Sequence, residues 1–133
     1  MKEYIEIFKA LSDETRLRIL HLLIKTKLEI CCCELADSLE VPQCNISRHI
    51  KILKHAGLVE ERKEGRWVYF RITRDKSPFF AGIIKSISSI PEPLLAKDEK
   101  ELEKRLDIRI DGKCLLGIKK KYLIVTSGKH ERK

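Results

Sequence analysis

The chain has no apolar run approaching the roughly 18–20 residues that cross a bilayer, so no membrane partner is expected. Nor does it open like an exported protein. MKEYIEIFKALSDETR interleaves acids and bases with apolar positions at helical spacing, where a signal peptide has a basic end and an apolar middle. The five cysteines are an odd number and three are adjacent, which argues against a secreted disulfide framework. These features predict a cytoplasmic protein with reduced thiols. Internal repeats, a glycine-rich phosphate loop, a Ser/His/Asp constellation and a paired-carboxylate motif are all missing. The sequence therefore does not read as an enzyme, and no small-molecule substrate is expected. A thiol oxidoreductase or metal carrier is disfavoured as well, because Cys-x-x-Cys opening a helix after a strand is absent.

What is present suits one soluble domain with a tail. Of 133 residues, 43% are hydrophobic, enough for a core, and 36% are charged. The net charge of +8 is unevenly spread. Residues 119–133 are net +5, residues 43–71 are net +4 and residues 1–42 are net −2. A basic tail is often merely solvated, but the concentration over 43–71 is what a phosphate-binding surface requires.

Periodicity predicts the elements. Ile5, Phe8 and Leu11 mark a first helix, and Ser12-Asp13 breaks it and caps the next. Leu17, Leu20 and Ile24, widened by Ile19, Leu22 and Leu23, make a largely buried second helix over 14–25. A short third helix over 32–39 points Leu35 and Leu39 inward. After Glu40-Val41-Pro42, a fourth helix over 43–55 carries Ile46, Ile50 and Leu53 on one face and ends at Ala56-Gly57. The period then drops to two in LVEERK and WVYFRI, a β-hairpin with Glu64-Gly65 at its turn. Ser77-Pro78 opens a helix whose broad stripe, Phe80, Ile83, Ile84 and Ile87 with Phe79 and Ile90 beside it, needs a partner surface. From 94 onward LLAKDEKELEKRL reads as a charged helix, Asp111-Gly112 as a turn and YLIV as a short strand. The expected division is a domain over 1–91 and a C-terminal extension over 92–133.

Two helices joined by a tight turn and followed by a basic hairpin predict a mainly α fold with a small β-hairpin, a winged helix-turn-helix. A helix fits the major groove, and short polar side chains near its start meet base edges. The candidate DNA contacts are Gln43, Cys44, Asn45, Ser47, Arg48 and Lys51 on the fourth helix, with Arg62, Lys63 and Arg66 at the hairpin tip. For Cys44 a packing role is favoured over a contact with DNA.

ALSDETRLRILHLL, ELADSLEVPQCNISRHIKILKHAGLVEERKEGRWVYFRI and the apolar helix after them resemble the ArsR/SmtB family of metal-responsive repressors, over about residues 4–90. The most specific stretch is NISRHIKILKHAGLV followed by EGRWVYF. The resemblance implies a homodimer that binds operator DNA and leaves when an inducer ion binds. It also places the dimer interface on the first and last domain helices, here Ile5, Phe8, Phe79, Phe80, Ile83, Ile84 and Ile87. Cys44 and Asn45 depart from the family, which commonly has Ser or Thr there.

Residues 29–35, EICCCEL, resemble the arsenic-sensing branch, whose Cys-x-Cys at the start of the third helix matches Cys31 and Cys33. On that resemblance these two are inducer ligands for arsenite or antimonite, As(III) or Sb(III). The branch often has a third cysteine three residues further on, where this chain has Ala36. Cys32 is the nearest substitute, and Cys114 the second if the tail folds back or reaches across the dimer. Three adjacent cysteines cannot all face one core, and thiolates select soft ions. Zinc prefers four ligands, and the last domain helix has no histidine, so zinc sensing is disfavoured while cadmium or lead stays open. Oxidation or persulfidation of the same thiols is the rival signal. On an ideal helix Cys31 and Cys33 would point about 200° apart, so closure on one ion is expected to unwind the first turn of the third helix.

Overall fold

Polar caps and left-handed stops divide the chain into the expected pieces. In the computed structural model, which describes residues 1–120 and Leu123, α1 (Lys2–Leu11) is followed by α2 (Glu14–Thr26). The Asp13 carboxylate caps α2 by accepting the Arg16 N–H at 3.0 Å, and Lys27 ends the helix at φ 58°. Next come β1 (Ile30–Cys31), α3 (Cys32–Leu39) and α4 (Gln43–His55). Gly57, at φ 79°, turns the chain out of α4 into β2 (Val59–Glu64) and β3 (Trp67–Ile72). Gly65 opens the two-residue hairpin loop at φ 62°, a left-handed position that glycine takes without strain. Helices α5 (Pro78–Ser88) and α6 (Pro93–Leu106) complete the regular structure.

The core forms around α2, whose Ile19, Leu20, Leu22 and Leu23 are fully buried. Leu35 and Ala36 of α3, Ile46, Ile50 and Leu53 of α4, and Ile83 and Ile87 of α5 pack into the same cluster. The sheet has the order β1-β3-β2 and is antiparallel, with Cys31 opposite Tyr69 and Arg62 also opposite Tyr69 from the other side. The two residues of β1 were not expected. They pin the start of α3 to the hairpin.

Residues 93–120 pack on the rest of the domain, chiefly through α6 on α3 and α2. Leu95 and Leu102 are buried there, and Leu123 joins the main cluster. Polar ties reinforce the packing. Arg18 makes a bidentate pair with the fully buried Asp98, both N···O distances being 2.9 Å, and also donates to the Leu39 carbonyl. Asp98→Ala strands that guanidinium, though its Leu39 contact survives, and is expected to cost about 2–3 kcal/mol. Urea unfolding should show this as a lower midpoint at unchanged slope. The turn at Asp111-Gly112 is present, closed by the Ile110–Lys113 bridge. The strand expected over 122–125 lies outside the described residues, Leu123 excepted.

Candidate functional site

Cys31 precedes the helix instead of belonging to it. Its backbone is extended (φ −82°, ψ 159°) and its N–H donates to Glu34 Oε1 at 3.0 Å, so the first helical residue is Cys32. The expected 200° separation of Cys31 and Cys33 therefore does not arise. With one residue in β1 and the other in α3, both thiols enter the same small buried cluster without unwinding the helix. Cys32 points elsewhere. It packs against the main core, and its sulfur accepts from Ser47 Oγ of α4 at 3.9 Å.

The third sulfur in the cluster is that of Cys114, which lies past the end of α6. Its Sγ is 3.6 Å from that of Cys33, and the side chain is fully buried. Cys31 Sγ, a Glu34 carboxylate oxygen and Cys114 Sγ all lie within 4.8 Å of one another. The Cys114 N–H donates to Tyr69 Oη at 3.0 Å, which ties this segment to the hairpin.

Two arginines hold the segment in place. Arg105 Nε donates to Asp37 Oδ2 of α3 at 2.7 Å, while its Nη2 donates to the Leu116 and Gly117 carbonyls and approaches Cys33 Sγ at 3.8 Å. Asp37 also accepts the backbone N–H groups of Lys119 and Lys120. Arg109 grips Glu34 with two 2.8 Å bonds and donates to the Glu29 carbonyl at 2.7 Å. Asp37, Tyr69, Arg105 and Arg109 carry no site signal in the sequence, where Glu34 reads only as local charge beside the cysteines. The available signal was weak: Leu35 and Leu39 mark the inward face of α3, and Asp37 lies about 200° from each.

The thiols do not share their protons equally. Cys114 is drawn well below the usual thiol range, first by hydrogen bonds from the Cys31 and Cys33 thiols and further by the Arg105 guanidinium. Cys31 is pushed up, chiefly by its thiol contact with Cys114, and Cys33 likewise.

This donor set suits a small thiophilic centre. Two sulfurs each about 2.3 Å from one tetrahedral ion stand about 3.8 Å apart, close to the 3.6 Å between Cys33 and Cys114. The Glu34 carboxylate is already engaged by Arg109 and by the Cys31 N–H, so it is a poor fourth ligand. Three sulfurs remain.

A groove of about 490 Å³ runs between α4 and the hairpin. Gln43, Ser47, Lys51 and Lys54 line it from α4, and Lys63, Arg66 and Trp67 from the hairpin; Cys31, Cys32 and Cys33 are also in its wall. Arg48 is exposed and donates to Asn45 Oδ1 at 2.9 Å. Cys44 is half-buried with its thiol against Asn45 Oδ1. Arg62 is not in this groove. The period of two puts it on the other sheet face, where it pairs with Glu29 and Glu64 at 2.7 Å and stacks over Tyr69.

The apolar residues of α1 and α5 divide into two groups. Ile83 and Ile87 turn inward to the core, and Ile84 is half-buried. Ile5 and Phe8 are exposed, and Tyr4 and Phe8 make edge contacts with Phe79, which in turn meets Phe80.

Comparison with known proteins agrees with this architecture. The model of the arsR family of bacterial regulatory proteins matches residues 13–61. A relative named arsenic resistance transcriptional regulator ArsR1, from Pseudomonas putida, is 36% identical over 96 residues, covering 72% of this chain and 74% of its own. The Escherichia coli arsenical resistance operon repressor is 42% identical over 80 residues, covering 60% of this chain and 68% of its own. Among solved structures, the transcriptional regulator HlyU from Vibrio vulnificus superposes with a TM-score of 0.56 at 31% identity, over 68% of this chain and 90% of that one. The chain is a winged-helix transcriptional regulator and belongs to the arsR family.

Proposed function

We propose that this regulator is an arsenical-responsive repressor that binds operator DNA as a homodimer and is released when arsenite or antimonite takes up Cys31, Cys33 and Cys114. The carrying observation is the convergence of those three thiols, two at the start of α3 and one from the segment after α6, into one buried cluster. The names of the relatives point to the same signal. Neutral arsenite exchanges its hydroxides for three sulfurs and releases water, which leaves the buried ion pairs of Glu34 and Asp37 balanced. Cadmium, named for relatives from Staphylococcus and Listeria, is less well served, because no free carboxylate or histidine completes a fourth position among the described residues.

DNA is held by α4 in the major groove and by Lys63 and Arg66 of the hairpin beside it. Exposed Tyr4, Ile5 and Phe8, continuous with Phe79, supply the dimer contact that spaces two α4 helices about 34 Å apart. Pulling the start of α3 toward the thiol cluster moves α4 through their shared packing, and a small rotation of each protomer spoils that spacing. A shift from mostly bound to mostly free, 99:1 to 1:99, needs about 5.5 kcal/mol of preferential inducer binding to the free form.

Fluorescence anisotropy of reduced protein on DNA from upstream of its own gene, titrated with arsenite, tests the reading. Release at low arsenite supports it; DNA binding that ignores arsenite overturns it. In the same assay Lys63→Ala is expected to weaken binding to all sequences alike and to lower the salt slope by about one. An unchanged slope would remove Lys63 from the phosphate contacts.

A further inference from the structure

The sulfurs of Cys33 and Cys114, from segments 81 residues apart in sequence, stand 3.6 Å from each other. A disulfide holds its sulfurs at about 2.05 Å, so an approach of about 1.5 Å joins them. The movement falls on an irregular stretch between the Ile110–Lys113 bridge and Lys119, where no helix or strand has to break. Arg105 braces both sides at once, touching Cys33 Sγ and the Leu116 and Gly117 carbonyls. Cys31 and Cys114 also lie within 4.8 Å of each other, so the test below separates that pairing; the rest are poorer. Adjacent cysteines bridge only with strain, the Cys32 sulfur is turned to Ser47, and Cys44 lies against Asn45. Cys33 also lines the groove between α4 and the hairpin, so a small oxidant has a way to it.

From this geometry we infer that Cys33 and Cys114 form a reversible intrachain disulfide when oxidised by hydrogen peroxide, which closes the inducer site. The inference rests on the reading of that site as the arsenite site. Cys33 sulfur attacks one peroxide oxygen, the O–O bond breaks, and water leaves with the thiol proton to give a sulfenic acid. Cys114 sulfur then attacks the sulfenic sulfur, the S–O bond breaks, and a second water leaves. The two thiols are oxidised by two electrons and the peroxide is reduced by two. Cys31 alone remains in the cluster, so the oxidised protein cannot offer three sulfurs to arsenite until a thiol reductant restores it.

The test uses the full chain, reduced, exposed to one equivalent of hydrogen peroxide, alkylated and digested with trypsin without reduction. The expected product links peptide 28–48 to peptide 114–119. It should vanish in Cys33→Ser and Cys114→Ser, persist in Cys31→Ser and Cys32→Ser, and disappear on reduction. Arsenite uptake should be lost in the oxidised protein and return with reductant. A link that survives in Cys33→Ser, or a disulfide confined to peptide 28–48, would overturn the inference. The two readings fail separately. Arsenite binding without the link sinks the disulfide alone, and the link in a protein that never binds arsenite sinks the arsenite reading alone.

Discussion

Cys114→Ser is expected to leave operator binding within about twofold of the wild type and to raise the arsenite needed for release by about 100-fold or more, roughly 2.7 kcal/mol of lost inducer affinity. Cys114 is not among the residues that line the groove between α4 and the hairpin, so DNA affinity should not depend on it directly. It does provide the sulfur 3.6 Å from Cys33. A hydroxyl in its place is a hard donor that holds a soft centre poorly, and a two-sulfur site leaves the inducer free to exchange. Cys32→Ser is the internal control. Its sulfur faces Ser47, so release should occur within a few-fold of the wild-type arsenite concentration. Anisotropy on one labelled operator measures both variants; equal sensitivity of Cys114→Ser and wild type would contradict the geometry.

Arg109→Met should have the largest effect on stability. Glu34 is fully buried, and Arg109 meets both of its oxygens at 2.8 Å. Removing the guanidinium leaves a carboxylate with only the Cys31 N–H, at an expected cost of about 3–5 kcal/mol. Against the roughly 5–15 kcal/mol that holds a small domain together, this should lower the urea midpoint sharply. Adding Glu34→Gln to the same chain removes the stranded charge and should recover much of the loss. If the double variant is no more stable than Arg109→Met, the ion pair is not the source of the effect. The pair also sets the start of α3, so Arg109→Met should blunt the arsenite response even where the protein stays folded.

The helices and the hairpin were legible because each announces itself locally. The apolar spacing of α2 and α4, the drop to a period of two at the hairpin, and Asp13, Gly57 and Ser77-Pro78 at the boundaries are short-range signals. The same signals bring Gln43, Ser47, Lys51, Lys63 and Arg66 to one groove between α4 and the hairpin, but not Arg62. Strand alternation assigns Arg62 to the sheet face opposite Lys63, a consequence that a count of charges at the tip does not show. The thiol site was legible only in half. Cys31 and Cys33 stand out as a pair, but the extended backbone of Cys31 depends on β1, and two residues carry no periodicity. Cys114 and Arg109 reach α3 from about 80 residues away, Arg109 to Glu34 spanning 75 positions. Nothing local to DGKCLLG says where it docks. Its packing is decided by buried ion pairs and by Tyr69, contacts that exist only once the chain has folded.

Arsenic-edge X-ray absorption on the stoichiometric arsenite complex tests the three-thiol site most directly, since it counts the sulfurs bound to arsenic. Three are expected in the wild type and in Cys32→Ser, and two sulfurs with one light atom in Cys114→Ser. Three sulfurs persisting in Cys114→Ser, with one lost in Cys32→Ser, would contradict that site.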